Sequence, residues 1–394
     1  MIAVEEALER LFALVAPLDT EEVPLAASAG RSLAADMVAA RAQPPFPASA
    51  MDGYAVRRAD LAEGACLTVI GEAPAGRAFA GGVGPGEAVR IFTGAPVPDG
   101  ADHVVIQEET EPREGAIRIR VAPGDNDQIR PAGGDFRPGD RVAAPRVLSP
   151  FDIALAAAMN LPTLRVRRRP EIALLSTGDE LVMPGETPRP DQIIASNALG
   201  LKALLERAGA RVRILPIARD TVAALRTGFA LAAESDLVIT IGGASVGDHD
   251  LVAQVAQELG LERAFHKVAM RPGKPLMSGR LSGTPMVGLP GNPVSAMVCG
   301  QIFILPMIRL MLGFPAAPTP RRRARLATGL DANGPREHYM RAILDGDRIT
   351  PFDRQDSSLL RVLSRANALL VRPPHDPPRA AGAEMEAIPL DTSP

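Results

Sequence analysis

Apolar side chains at Val4, Leu8, Leu11, Phe12 and Val15 recur at three- and four-residue spacing, which predicts an amphipathic helix over Ile2 to Ala16. The texture changes near Arg41. From there to Pro145, short alternating runs (Leu67 to Ile70, Ala88 to Phe92, Val104 to Gln107, Ala116 to Val121) are separated by Gly and Pro clusters, the pattern of a β-rich domain. A helical run returns over Phe151 to Leu161. The β-rich stretch therefore reads as an insertion between two helical pieces that pack together.

Glu171 to Ser176, EIALLS, is a continuous apolar run of strand length followed by a Gly turn. Ser196 to Ala208 is helix-like, and Arg211 to Ile217, Ala223 to Ala233 and Asp236 to Ile241 continue as strand, helix and strand. Such alternation implies right-handed crossovers and a mostly parallel, doubly wound sheet with helices on both faces. In such sheets ligands bind beyond the carboxyl ends of the strands. The most apolar stretch, Val294 to Leu312, is interrupted by Gln301, Pro306 and Arg309, short of the about 20 apolar residues of a spanning helix. It is expected to be a buried helix. After the Pro-rich linker Pro315 to Pro320, short segments such as Tyr339 to Leu344 and Ala368 to Arg372 predict a small C-terminal β domain. The expected division is a helical N-terminal and linker domain (1–40 with 146–170), an inserted β-rich domain (41–145), an α/β domain (171–315) and a C-terminal β domain (316–394).

A chain of 394 residues exceeds one ordinary core, consistent with several domains. Lys and Arg number 43 against 46 Asp and Glu, and a net charge of -3 gives no whole-chain reason for binding nucleic acid or a membrane surface. Any anion site is local. Cys66 and Cys299 cannot form a disulfide framework or a four-Cys zinc site, and both are expected as buried small apolar residues. The opening MIAVEEALERLF carries acids where a signal peptide carries bases, so a cytoplasmic location is expected.

Three constellations stand where the strands end. Ile241-Gly-Gly-Ala-Ser-Val-Gly247 follows a strand and precedes a helix that opens near Asp250. Its glycines would let main-chain N–H groups approach an anion at a helix N-terminus, although a ligand-free tight turn has the same residues. Lys267, Arg271 and Lys274 gather three cations in HKVAMRPGKP, stiffened by Pro272 and Pro275. Alone this is a solvated face; beside a glycine loop it becomes a phosphate or oxyanion cradle. Asp179 and Glu180, Asp220, and Asp248 and Asp250 follow three successive strands, and like charges on one rim call for a hard cation such as Mg2+. Asp220, before Thr221, also suits a helix cap. A dinucleotide site is disfavoured, since no G-x-G-x-x-G follows the first strand.

Read together, SAMDGYAV (49–56), RIFTGAPVPDGAD (90–102), STGDEL (176–181), GGASVGDHD (242–250), RPGKP (271–275) and LPGNPVSA (289–296) resemble the MoeA family of molybdopterin molybdenumtransferases, to which the C-terminal domain of gephyrin is related. The resemblance implies four subdomains, a homodimer with a site between subunits, and Mg2+-dependent insertion of molybdenum from molybdate into adenylylated molybdopterin with release of AMP. It leaves room for contacts with other proteins of molybdenum cofactor biosynthesis. By motif it implies catalytic roles for Asp52, Thr93, Asp135, Glu180, Asp220 and Asp250, with Glu180, Asp220 and Asp250 toward the metal. Substrate contacts would come from Gly242, Gly243, Ser245, Gly247, Lys267, Arg271, Lys274, Pro290 and Pro293. The chain departs from the family pattern at Arg271, where Lys is common, at Pro47-Ala48, at Pro131, Ala132 and Gly134 around Asp135, and at Gln355-Asp-Ser-Ser358. Two rivals remain. A molybdopterin adenylyltransferase shares the α/β domain but needs neither SAMDGYA nor FTGAPVP, and retention of the acids argues against a non-catalytic gephyrin-like scaffold.

Overall fold

The structure is a computed structural model that describes residues 1–122, 124–243 and 251–390. The α/β unit carries the sheet order 211–214, 171–176, 237–241, 284–289, 277–281, 261–266. Its first four strands pair in parallel, and the last two pairings are antiparallel. Glu171–Ser176 has neighbours on both sides and both faces covered, which is why it reads as an unbroken apolar run. One face packs Leu174, Ile239 and Val287 against helix Asn197–Arg207 and the long helix from Pro293. Leu175, Val238 and Met286 face helices Val222–Ala232 and Leu251–Glu258. The chain runs from Glu171–Ser176 to one neighbour and then crosses to the other, Leu237–Ile241, so the two carboxyl ends part there and open a crevice.

The long helix runs Pro293–Met311 and is long and apolar enough to cross a membrane, contrary to the expectation that it falls short. Its 72% burial inside the protein makes it a core helix. Gly300–Ile304 takes a π turn just before Pro306, the residue that lacks an N–H to continue the regular ladder.

The flanks of the insertion meet through a sheet, where packed helices were expected. Strands Thr20–Pro24, Thr163–Arg167, Ser32–Leu33 and Arg146–Val147 form it, backed by helix Pro150–Ala158, whose Ser149 and Asp152 make a reciprocal capping box. The amphipathic N-terminal helix is shorter than predicted, Val4–Phe12, and buries Val4, Ala7, Leu8 and Leu11 in the core of the α/β unit. Between the flanks lies a six-stranded sheet in which Gly53–Val56 pairs with both Glu87–Ile91 and His103–Ile106. Cys66 is exposed, correcting the expectation of burial: it opens strand Cys66–Ala73, whose alternation turns Leu67 inward. Cys299 is buried, and burial pushes its thiol up.

At the C-terminus, Glu337–Asp345 pairs with Arg348–Pro351 and again with Ala368–Arg372, closing the strands on themselves. Ala324, Leu326, Ile349 and Leu370 fill the interior. Tyr339, Leu369, Val371 and Ile388 face outward into the α/β core.

The long helix offers a test of this burial. Phe303 is fully buried while Phe151 is 85% exposed. Phe303→Ala is expected to cost about 3–5 kcal/mol, and Phe151→Ala to stay within about 0.5 kcal/mol. Urea unfolding curves of the two variants check this.

Candidate active site

The crevice at the parted strand ends is a cavity of about 1020 Å3. Thr177 and Gly178 line it from one strand end and Gly242 and Gly243 from the other, with Glu180, Asp220, Pro290 and Pro293 around the rim. Gly242 holds a φ of 93°, and a Cβ there would stand 2.8 Å from the Thr177 carbonyl oxygen, so the close crossing of these loops requires glycine. Asp220 is drawn toward Asp179, whose Oδ1 accepts its main-chain N–H at 3.2 Å. Burial raises the Asp220 carboxyl above its ordinary value, and the charges of Asp179 and Glu180 add to the effect. Asp220 does not cap the following helix as expected; Thr221 does, its Oγ1 accepting from the Ala224 N–H. Ser245, Gly247 and Asp250, with Asp248, lie outside the described residues. Among the described residues no three His, Cys, Asp or Glu are grouped to hold a metal.

Asp52 lies elsewhere, on the turn that enters strand Gly53–Val56. Gly53 pairs with Ile91, and this register brings Thr93 beside Asp52 although 41 residues separate them. The Thr93 N–H and hydroxyl both donate to Asp52 Oδ1, each at 2.7 Å. Those bonds, and the nearby Arg90 charge, hold the carboxyl below its ordinary value. A Cβ on Gly53 would collide with the Val105 carbonyl of the neighbouring strand, so the residue after Asp52 must be glycine. Asp135 is exposed on a separate turn, its main-chain N–H bonded to the Gln43 carbonyl at 2.9 Å. Asp52, Thr93 and Asp135 are not among the residues lining the cavity.

The three cations occupy the hairpin that joins Leu261–His266 to Met277–Leu281. Lys267 turns the chain with a φ of 73°, an uncommon conformation for a side-chain-bearing residue. Pro275 reaches the cavity, whereas Lys267, Arg271 and Lys274 do not line it. Met270–Arg271 instead pairs in parallel with Glu337–His338 of the C-terminal domain, setting Arg271 opposite His338. There the structure shows two residues that motif reading missed. Arg341 is fully buried, and its Nε and Nη1 have no partner; Nη2 donates to the Asp356 carbonyl at 3.0 Å. Burial and the Arg271 charge lower its pKa to about 10. Buried His338, whose Nε2 is also unpartnered, falls to about 3 through burial and then Arg271. An Arg amid the apolar positions of 339–344 is the sequence signal that could have found it.

The departing segment 355–358 packs against Arg341. Gln355 Oε1 accepts from the Arg341 N–H, and its Nε2 donates to the carbonyls of Arg341 and Phe352. Ser357 is held by the cavity rim: Asn292 Nδ2 donates to its Oγ at 3.1 Å, and the Val294 N–H to its carbonyl at 3.1 Å. Segment 355–358 thus links the buried Arg341 cluster to the cavity rim. The arrangement combines a crevice with acids on its rim and, across segment 355–358, a buried cationic cluster with unpartnered nitrogens.

Residues 2–160 match the MoeA N-terminal region (domains I and II), 173–310 a probable molybdopterin-binding domain, and 323–390 the MoeA C-terminal region (domain IV). A molybdopterin molybdenumtransferase 2 of Mycobacterium tuberculosis is 38% identical, covering 92% of this chain and 93% of the relative. A molybdopterin molybdenumtransferase of a Nostoc species is 36% identical over 95% of this chain and 90% of its own length. A solved molybdopterin biosynthesis MoeA protein of Pyrococcus horikoshii superposes with a TM-score of 0.85 at 30% identity, covering 100% of both chains. Its multidomain architecture bears out the α/β fold with an inserted β-rich domain and a small C-terminal β domain. With three family regions matched in order and relatives of such identity over nearly its whole length, the chain belongs to the MoeA family of molybdopterin molybdenumtransferases.

Proposed function

We propose that the chain inserts molybdenum from molybdate into adenylylated molybdopterin, a molybdate oxygen leaving as water with the two dithiolene protons as the sulfurs bind the metal, and that water cleaves the phosphoanhydride with release of AMP. The observation that carries the oxyanion part is Arg341: a fully buried guanidinium with Nε and Nη1 unpartnered, beside Arg271. Buried cations of this kind are costly without a counter-charge, and a tetrahedral dianion would satisfy both nitrogens. Arg271 and Lys274 supply further positive charge, and Arg in place of the common Lys at 271 keeps the charge in a planar, bidentate form. The cavity beside it, about 1020 Å3, suits an extended pterin and nucleotide ligand whose phosphates meet the glycines at 242 and 243.

Glu180 and Asp220, with Asp250, would hold Mg2+. Their hard oxygen donors fit the ion, and the raised proton affinity of Asp220 beside Asp179 and Glu180 is the excess negative charge that a dication offsets. When bound it would neutralise charge developing on the phosphoanhydride. The protein's own part is positioning: Asn197 Nδ2 fixes the Gly291 carbonyl at 2.7 Å, holding the Pro290–Pro293 rim, and Thr93 keeps Asp52 ionised and aimed.

We further propose a homodimer in which the partner subunit brings its Asp52, Thr93 and Asp135 to this cavity. Support comes from the separation of these residues from the cavity of their own chain. The exposed free thiol of Cys66 fits a cytoplasmic setting.

Product analysis is the direct test: molybdate-dependent AMP release from adenylylated molybdopterin is expected, and ATP-dependent adenylylation instead would favour the adenylyltransferase reading. Asp52→Ala should abolish insertion with an unchanged melting temperature; equal losses of activity and stability would indicate a structural role.

Arg271→Ala and Lys274→Ala are expected to raise the molybdate requirement, and Arg271→Lys to be mild. Arg341→Met should raise it by about tenfold or more, the effect of losing one charged hydrogen-bonding group, while melting at the same temperature or higher, since a buried charge is replaced by an apolar chain. Unchanged molybdate dependence in all three charge-removing variants would exclude the cradle.

Mixing inactive Asp52→Ala and Asp220→Ala subunits should restore part of the activity after exchange, because one site of each heterodimer keeps both acids. Proven exchange without recovery would place both acids in one subunit's site.

A further inference from the structure

We infer that Arg90 is a positioning residue for Asp52, holding the two successive carbonyls of Asp52 and Gly53, one through Gln107 and one directly; the inference rests on the reading that Asp52 acts in the reaction. The Arg90 guanidinium lies over two rings, 5.0 Å from the centroid of Tyr54 and 5.0 Å from that of Phe92. Stacking between two aromatic side chains restricts where its planar fork can point. One end of the fork, Nη1, donates to the Gly53 carbonyl at 3.2 Å, the residue directly after Asp52. The other, Nη2, donates to Gln107 Oε1 at 2.7 Å. Gln107 in turn donates its main-chain N–H to the Asp52 carbonyl at 3.0 Å. The backbone of Asp52 is therefore tied to Arg90 through Gln107, and that of the next residue, Gly53, directly, while Thr93 ties the Asp52 carboxylate.

This division of labour has a structural reason. Asp52 is exposed on a turn, and an exposed carboxylate held only through its side chain would move with that turn. Arg90 sits on the strand Glu87–Ile91 that pairs with Gly53–Val56, so the clamp is anchored in the sheet. Its charge has a second effect, lowering the Asp52 carboxyl. Other charged groups on the packed elements include Glu72, the register partner of Arg90, Glu87 on its own strand, Asp102 and His103 at the start of strand His103–Ile106, Glu108 and Glu109 of the Gln107 turn, and Asp127 of the segment bonded to Ala50. The Gln107 amide donates to Glu108 Oε1 at 3.2 Å, and Asp127 Oδ1 accepts from the Ile129 N–H at 2.9 Å, so Glu108 and Asp127 have partners of their own.

The test compares Arg90→Met, Arg90→Lys and Asp52→Asn in full-length protein, with melting temperatures and pH profiles of molybdenum insertion. Arg90→Met is expected to lower kcat by up to about 100-fold, the effect of misplacing a reacting group, with KM for adenylylated molybdopterin little changed. Its acid limb should move to higher pH, because removing the cation makes the Asp52 carboxylate harder to form. Arg90→Lys should recover part of kcat and leave the limb in place. Wild-type kcat and limb in Arg90→Met, with Asp52→Asn inactive, would overturn the positioning role alone. A loss of kcat that follows only the folded fraction, with the limb unmoved, would also overturn it. An active Asp52→Asn would instead remove the reading of Asp52 itself, and the positioning role with it.

Discussion

Everything distinctive about the proposed oxyanion pocket depends on a short parallel pairing, Met270–Arg271 with Glu337–His338. It joins the edge hairpin of the α/β sheet to the strand that carries Arg341. That pairing brings Arg271 to the strand on which Arg341, held by segment 355–358, is taken out of water, so a buried guanidinium feels the charge of a second arginine. Such an arrangement opposes folding unless something returns the lost interactions. The surrounding packing makes the joint rigid: Tyr339, Leu369, Val371 and Ile388 share one apolar core with Ile239, Leu289 and the long helix. The unpaired nitrogens of Arg341 are thus held in place by the burial of their apolar neighbours.

The other half of the chemistry is built on a different principle. At the strand ends of the α/β unit, burial and the charges of Asp179 and Glu180 raise the proton affinity of Asp220, whereas at the Asp52 turn hydrogen-bond donors gather around a single acid and lower it. The two carboxylate settings are suited to different tasks: the first to sharing a cation, the second to remaining ionised without one. Loop 355–358 connects the first to the oxyanion pocket, because Gln355 grips the Arg341 backbone and Ser357 is bonded to Asn292 on the cavity rim.

How much of this was legible in the sequence follows from the range over which each feature is determined. EIALLS announces a doubly covered strand because burial on both faces leaves no polar alternation, and the glycines at 242 and 243 mark a crossing too tight for a Cβ. The motifs then supplied the family resemblance. Pairings across long separations were not legible: that Asp52 meets Thr93, or that Arg271 meets His338, is set by strand register, which no local pattern encodes. Helix Val4–Phe12 was visible from its spacing, but its docking against the α/β core was not, since an apolar stripe does not name its partner. Cys66 is exposed because strand alternation, and not residue type, decides its face, and Arg341 carries no motif signal because it lies within a strand and not in a motif-bearing loop.

The central claim is that a tetrahedral oxyanion completes the buried cation at Arg341. Crystals of the protein soaked in molybdate, with diffraction collected across the molybdenum absorption edge, address it directly. The account predicts an anomalous peak within hydrogen-bonding reach of Arg341 Nε and Nη1 and beside Arg271. Molybdate bound elsewhere, with that pocket holding only water, would contradict it.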